Sequence, residues 1–108
     1  MKTNNLIRLG LLIAATSLSA GVTAAGNPEA GKIKAFTCMG CHGIPGYNNA
    51  YPTYHVPKLG GQHAKYLVSA LQAYKAGQRS HETMKAQAAN LNEQDMQDIA
   101  AYFEQSGQ

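Results

Sequence analysis

Tryptophan is absent from this 108-residue sequence, and cysteine occurs only twice. With Cys38 and Cys41 as its only cysteines, the chain lacks the further thiols that a cysteine-rich zinc site needs. Long apolar runs are missing as well. The longest, from Leu9 to Leu18, has about half of the ~20 residues that a membrane-spanning helix requires. Nothing later in the sequence is apolar enough to cross a membrane, so no membrane span is predicted in the mature protein.

The first 25 residues have the order of a secretory signal peptide. Lys2 and Arg8 give a basic start, the short apolar run follows, and small residues ending in Ala24-Ala25 form a cleavage site. We therefore expect residues 1–25 to be removed on export, and residues 26–108 to form one small domain in the periplasm. An uncleaved N-terminal anchor is the alternative, and the shortness of the apolar run argues against it.

Charge is scarce and nearly balanced. The whole chain has 9 basic and 6 acidic residues, for a net charge of +3. Two of the basic residues, Lys2 and Arg8, belong to the predicted leader, so the exported domain is close to neutral. Proteins that bind nucleic acid carry a basic stripe, and this balance argues against that class. The acidic residues cluster toward the C-terminal end, where they are expected to form a solvated helix face.

The exported part predicts an all-α domain with three main helices and one long loop. Asn27, followed by proline and glutamate, is typical of a helix start, and that helix is expected to run to about Cys38. Apolar residues at helical spacing predict a second helix over 62–76. A short helical stretch is predicted over 83–89, and Asn92 is expected to cap the last helix.

The loop between the first two helices, residues 43–61, is rich in glycine and proline and has no hydrophobic periodicity. A loop of this length in a small domain is usually functional when it is ordered. Its three tyrosines indicate that it packs against something: Tyr47, Tyr51 and Tyr54. A domain this small buries little apolar surface and often depends on a cofactor, a metal or a disulfide.

Residues 38–42 read Cys-Met-Gly-Cys-His, the C-x-x-C-H pattern of covalent haem attachment. Two thiols three residues apart can reach the two vinyl groups on one side of a haem, and His42 then lies beneath the iron. The rivals are a redox dithiol, half of a zinc site and a plain disulfide. A thioredoxin-like dithiol belongs in a βαβ context, which is not predicted here. The pattern therefore favours one haem c, held by Cys38 and Cys41 and ligated by His42.

The sequence resembles the small bacterial class I cytochromes c, and especially a single domain of the dihaem periplasmic cytochromes. The matching stretches span nearly all of the exported part: Ala-Gly-Lys at 30–32, the haem motif with Gly43, Pro57 to Gln62, Tyr66-Leu67, Gly77 to Arg79, Met84, and Asp98 to Phe103. The resemblance implies a class I cytochrome c fold, with the helices and the long loop wrapped around one covalent haem. Only one haem motif is present, so a two-domain arrangement would need a second chain.

The second axial ligand of the iron has several candidates. Met39 lies between the cysteines, on the wrong side of the ring, and Met96 falls on the apolar face of the last helix, where it is expected to be core. Met84 lies between two helices, and the resemblance implies an axial methionine at this position. Bis-histidine ligation is the alternative, with three weaker candidates: His55, His63 and His81.

The resemblance also implies groups around the haem. A metal-bound histidine normally donates its other ring N–H to an acceptor, which in the family is a proline carbonyl corresponding to Pro57. Haem propionates need donors or cations, and the candidates are Lys58, Gln62 and Arg79. Several lysines could ring the haem edge and steer an acidic partner, or only keep the protein soluble: Lys32, Lys34, Lys58, Lys65 and Lys85.

Together these expectations describe a periplasmic carrier of single electrons, with redox proteins as its partners. A His/Met pair closes both axial positions of the iron, and the thioether favours the ferrous form. The sequence has no Ser-His-Asp set and no convincing carboxylate pair, so no enzymatic activity is predicted. Two alternatives remain. The chain could be the haem subunit of a larger oxidoreductase, or a ligand-binding haem enzyme or sensor if Met84 does not bind.

Overall fold

The computed structural model describes residues 25–51 and 53–107, which fold as α-helices joined by loops. The helices are α1 (Pro28–Lys34), α2 (Phe36–His42), α3 (Ala64–Ala76), α4 (Glu82–Ala88) and α5 (Glu93–Gln105). The described residues contain no β-strand, although one antiparallel bridge joins Asn48 and His55 within the long loop. The predicted all-α class is confirmed. The predicted leader falls almost entirely outside the described residues, and none of the helices within them is long and apolar enough to span a membrane.

The first helix is interrupted where a continuous one was expected. The Asn27 side chain caps α1 by accepting from the backbone N–H of Glu29 at 2.9 Å. Ala35 then leaves the helical conformation, with φ −81° and ψ 2°, and is fully buried. Its carbonyl accepts from the N–H groups of Cys38 at 2.9 Å and Met39 at 3.1 Å, so α2 begins at once. The expectation of one helix to about Cys38 was wrong at Ala35, and the haem motif lies on a short helix of its own.

The core lies where α3 and α5 pack together. Its buried members include Leu67 and Val68 from α3 and Ile99 and Phe103 from α5. Met96 is 1% exposed, which confirms the prediction that it belongs to the core. The start of α5 also agrees with the sequence, because Asn92 and Asp95 form a reciprocal capping box.

Asp98 is buried against α1, whereas the acidic residues of α5 were expected to form a solvated face. It is only 3% exposed. Its carboxylate accepts from the backbone N–H of Asn27 at 2.8 Å, from Gln94 Nε2 at 2.8 Å and from Lys34 Nζ at 2.6 Å. Lys34 also pairs with Asp95 at 2.8 Å. The hydrogen bond from Asn27, followed by those from Lys34 and Gln94, lowers the pKa of Asp98 to about 2.

We expect Asp98→Asn to lower the free energy of unfolding by about 2–3 kcal/mol at neutral pH, since each pKa unit between the unfolded and the folded carboxyl corresponds to about 1.4 kcal/mol. The folded-state pKa is depressed, so this stability is fully present above about pH 4 and is lost as the pH falls towards about 2. Urea unfolding across that range should therefore be less pH-dependent in the variant. Glu93→Gln, on the exposed surface of the same helix, is the control. Equal pH dependence in wild type and Asp98→Asn would contradict the assignment.

Candidate functional site

A cavity of ≈ 400 Å³ opens beside the α3–α5 core. Its walls come from α2, the long loop, α3, the α4 segment and α5. Much of the lining is apolar, including Leu67, Leu71, Leu91, Ile99 and Phe103. The residues that the sequence analysis assigned to the site all line this one cavity: Cys38, Cys41, His42, Pro57, Lys58, Gln62, Arg79 and Met84. Residues far apart in the chain are thus brought together around a single space.

His42 is oriented by a hydrogen bond to the long loop. Its Nδ1 lies 2.7 Å from the carbonyl oxygen of Pro57, so Nδ1–H donates and Nε2 is the ring nitrogen that remains available to bind a metal. This is the arrangement that fixes a metal-binding imidazole in one orientation. His42 is the last residue of α2, and it lines the cavity together with Cys41, the residue before it. Burial raises the pKa of the Cys38 thiol, as expected for a side chain that faces an apolar interior.

Met84 lines the cavity from a different element. It is half-buried in α4, whereas Met39 is 37% exposed and Met96 lies in the core. Among these three methionines, only Met84 is on the cavity wall. Within the described residues α2 and α4 make no contact with each other. His42 and Met84 therefore belong to separate walls, with the cavity between their helices.

The three histidines considered as alternative ligands differ in position. His55 and His81 line the cavity, and His63 does not. The side chain of His81 is half-buried. Its Nδ1 accepts from the backbone N–H of Met84 at 3.3 Å. Its ring also makes edge contacts with Tyr54 and Tyr74, with centroids 5.0 Å and 6.2 Å away.

The polar candidates Lys58, Gln62 and Arg79 are exposed residues that also line the cavity. Arg79 is held in place by two tyrosines, because Nη1 donates to Tyr66 Oη at 3.3 Å and the guanidinium lies 4.8 Å from the centre of the Tyr74 ring. Lys34 also lines the cavity, but its ammonium is bound by carboxylates of α5. Lys34 is therefore less available to attract an acidic partner than it would need to be as a member of the lysine ring suggested by the sequence.

The donor set fits a covalently attached haem. The pair of thiols, the oriented imidazole and the thioether all face one apolar space, which suits a flat hydrophobic cofactor. A bare metal ion would need several ligands close together. In the part of the chain that the structure describes, no three His, Cys, Asp or Glu side chains are grouped in that way. The site therefore favours haem over the zinc alternative.

Comparison with known proteins gives consistent results. Residues 29–106 match the family model described as Cytochrome c. Cytochrome c4 from Pseudomonas aeruginosa is 41% identical over 96 residues, covering 85% of this chain and 46% of that protein. Cytochrome c-554(548) from Halomonas halodenitrificans is 44% identical over 82 residues, covering 73% of this chain and 95% of that protein.

Among solved structures, the crystal structure of reduced recombinant cytochrome c4 from Pseudomonas stutzeri superposes with a TM-score of 0.61 at 40% identity. The match covers 76% of this chain and 46% of that one. The chain thus spans about half the length of the cytochrome c4 proteins, but nearly the whole length of the Halomonas protein.

Proposed function

Because the chain belongs to the cytochrome c family, we propose that it carries single electrons in the periplasm through one haem c ligated by His42 and Met84. Family membership supports the general statement, an electron-carrier cytochrome with haem attached through Cys38 and Cys41. The axial pair and the compartment are the proposed part. One observation carries the proposal: an imidazole oriented by Pro57 and a methionine side chain line the same apolar cavity from helices that do not contact each other.

The haem supplies an iron that changes its charge by one electron. The protein residues would keep that iron inaccessible to other chemistry. His42 is held in one orientation by Pro57 and would be one iron ligand, and the Met84 thioether would be the other, a soft donor that favours the ferrous form. The apolar walls exclude water and so limit rearrangement when the charge changes. Lys58, Gln62 and Arg79 would provide donors to the propionates, and Arg79 is already fixed by its two tyrosines.

The partners proposed for this carrier are redox proteins that dock only briefly. After removal of residues 1–25 the net charge is close to zero, so strong electrostatic attraction to a partner is not expected. Weak contacts let one redox partner leave quickly and another bind. A permanent haem subunit of a larger oxidoreductase would instead purify with its partner chain. Gel filtration of the exported protein therefore distinguishes the two: a monomer supports the free carrier, and a stable complex with another chain supports the subunit.

Optical spectra of the exported holoprotein test the axial pair. We expect wild type to show low-spin haem with a thioether-to-iron absorption in the ferric form, and to be indifferent to carbon monoxide when reduced. Met84→Ala should abolish that absorption, bind carbon monoxide and lower the midpoint potential, because the soft sulfur that favours ferrous iron is gone. Met39→Ala is the matched control, since Met39 is exposed and lies off the cavity wall.

A high-spin wild-type spectrum that shifts with carbon monoxide would reject the proposal. The iron would then be open, and the chain would be a ligand-binding haem enzyme or sensor. A low-spin spectrum without the thioether absorption would instead indicate bis-histidine ligation. Substitution of His55 and of His81, which both line the cavity, would then identify the second imidazole.

A further inference from the structure

The start of α4 depends on the side chain of His81. This helix has only 7 residues, and helices so short are unstable unless caps and packing support them. His81 is the N-cap residue, in extended conformation, and its Nδ1 accepts the backbone N–H of Met84 at 3.3 Å. A cap of this kind satisfies one of the unpaired N–H groups in the first turn. Here the N–H group belongs to the proposed iron ligand itself.

The His81 ring is in turn held by two other segments of the cavity wall. Tyr54, from the long loop, meets it edge-on at a centroid distance of 5.0 Å, and Tyr74, near the end of α3, does so at 6.2 Å. Such edge-to-face contacts favour one ring position over others. The guanidinium of Arg79 lies over the Tyr74 ring, 4.8 Å from its centre. The ring that caps α4 is therefore fixed by the loop and by α3.

The other end of α4 is anchored differently. Ala88 is fully buried, and among the described helices α4 makes contacts only with α3. Met84 thus lies between a buried end and a capped end. If the cap were lost, the first turn could unwind while Ala88 stayed in place. The residue most affected would be Met84, because its own N–H is the group that the cap binds.

We infer that His81 is a positioning residue for Met84: its imidazole caps α4 and, held by Tyr54 and Tyr74, keeps the Met84 side chain at the cavity wall. The inference rests on the proposed function, since it assigns a role relative to Met84 as an iron ligand. It requires His81 to act as a hydrogen-bond acceptor through Nδ1. It does not require His81 to bind the iron.

The test uses exported holoprotein and three substitutions that separate the acceptor from the ring. His81→Phe keeps an aromatic ring and removes the acceptor. His81→Asn keeps a capping acceptor and removes the ring, and His81→Ala removes both. Asn92→Ala is the matched control, because Asn92 caps α5 by accepting from Asp95 N–H at 2.8 Å, away from the cavity wall. For each ferric protein, imidazole is titrated against the thioether-to-iron absorption, which disappears as imidazole displaces Met84.

We expect His81→Phe and His81→Ala to bind imidazole more tightly by roughly fivefold, which is the effect of losing a cap of about 1 kcal/mol. His81→Asn should stay near wild type, and Asn92→Ala should unfold more easily in urea without any change in imidazole affinity. Unchanged affinity in His81→Phe, or an equal change in Asn92→Ala, would overturn the positioning role alone. A wild-type protein without the thioether absorption would overturn the proposed axial pair, and this inference with it.

Discussion

The double variant Cys38→Ala/Cys41→Ala is expected to lose cooperative folding altogether. Without the two thiols the haem cannot be attached covalently, and the cavity of ≈ 400 Å³ has nothing to fill it. Cavities left in protein cores cost about 24 cal/mol per Å³, so this space represents at most on the order of 10 kcal/mol. Water entering the open side reduces that cost but leaves the apolar walls hydrated. Since whole domains are stable by only about 5–15 kcal/mol, the loss is comparable to the total.

The rest of the domain cannot compensate. Within residues 25–51 and 53–107, the large buried apolar side chains are few and all belong to α3 and α5: Leu67, Val68, Met96, Ile99 and Phe103. The helices α2 and α4 do not contact each other within the described residues, so a cofactor in the cavity would be in direct contact with both of those walls. A small domain with so little core depends on its cofactor for stability.

Far-UV circular dichroism during heating measures this directly, with covalent haem followed by haem staining after denaturing electrophoresis. Wild type should carry haem and melt in one cooperative transition, whereas the double variant should carry none and show no transition. Met39→Ala, between the two cysteines, should behave as wild type because its side chain is partly exposed and lies off the cavity wall. A haem-free double variant that still melts cooperatively near the wild-type temperature would show that the fold does not require the cofactor.

Much of the fold could be predicted from local sequence signals. The end of α3 at Gly77, with φ 76°, follows from the glycine that a left-handed helix end favours. The start of α5 follows from the Asn92 capping box. The fold class and the cytochrome c family are confirmed as well. These features depend on neighbouring residues, or on a motif whose spacing is set by the haem it binds.

The features that could not be predicted depend on contacts between distant segments. Asp98 was assigned to a solvated face because helical periodicity alone does not reveal that Asn27 and Lys34 will lie beside it. Ala35 interrupts the first helix in a sequence with no local helix breaker. His81 gained its interactions only when Tyr54 and Tyr74 were brought to the same wall. A histidine just before a short helix that carries a candidate methionine ligand was the one available signal.

Substitution of Gly31 by alanine is expected to destabilise the protein by about 3 kcal/mol. Gly31 is buried in α1 at its contact with α5. A Cβ there would lie 1.9 Å from the carbonyl oxygen of Asp98 and 2.9 Å from the Cβ of Tyr102. The nearest of these atoms belongs to the backbone, so it cannot turn aside as a flexible side chain could. Alanine favours the helix by about 1 kcal/mol over glycine, which offsets only part of the cost of overpacking.

To make room for the added Cβ, α1 and α5 would have to move apart. This shift should also disturb the carboxylate of Asp98, which accepts from Asn27 and Lys34 across the same helix contact. Gly40→Ala is the matched control, because nothing lies within 4 Å of a Cβ at that position in α2. There the same change should be neutral or should stabilise the protein by up to about 1 kcal/mol, since it only reduces the freedom of the unfolded chain. In urea unfolding of the two holoproteins, the free energy of unfolding should therefore fall in Gly31→Ala and stay the same or rise in Gly40→Ala. Equal losses in both variants would mean that the close approach of α1 to α5 is not what requires glycine at position 31.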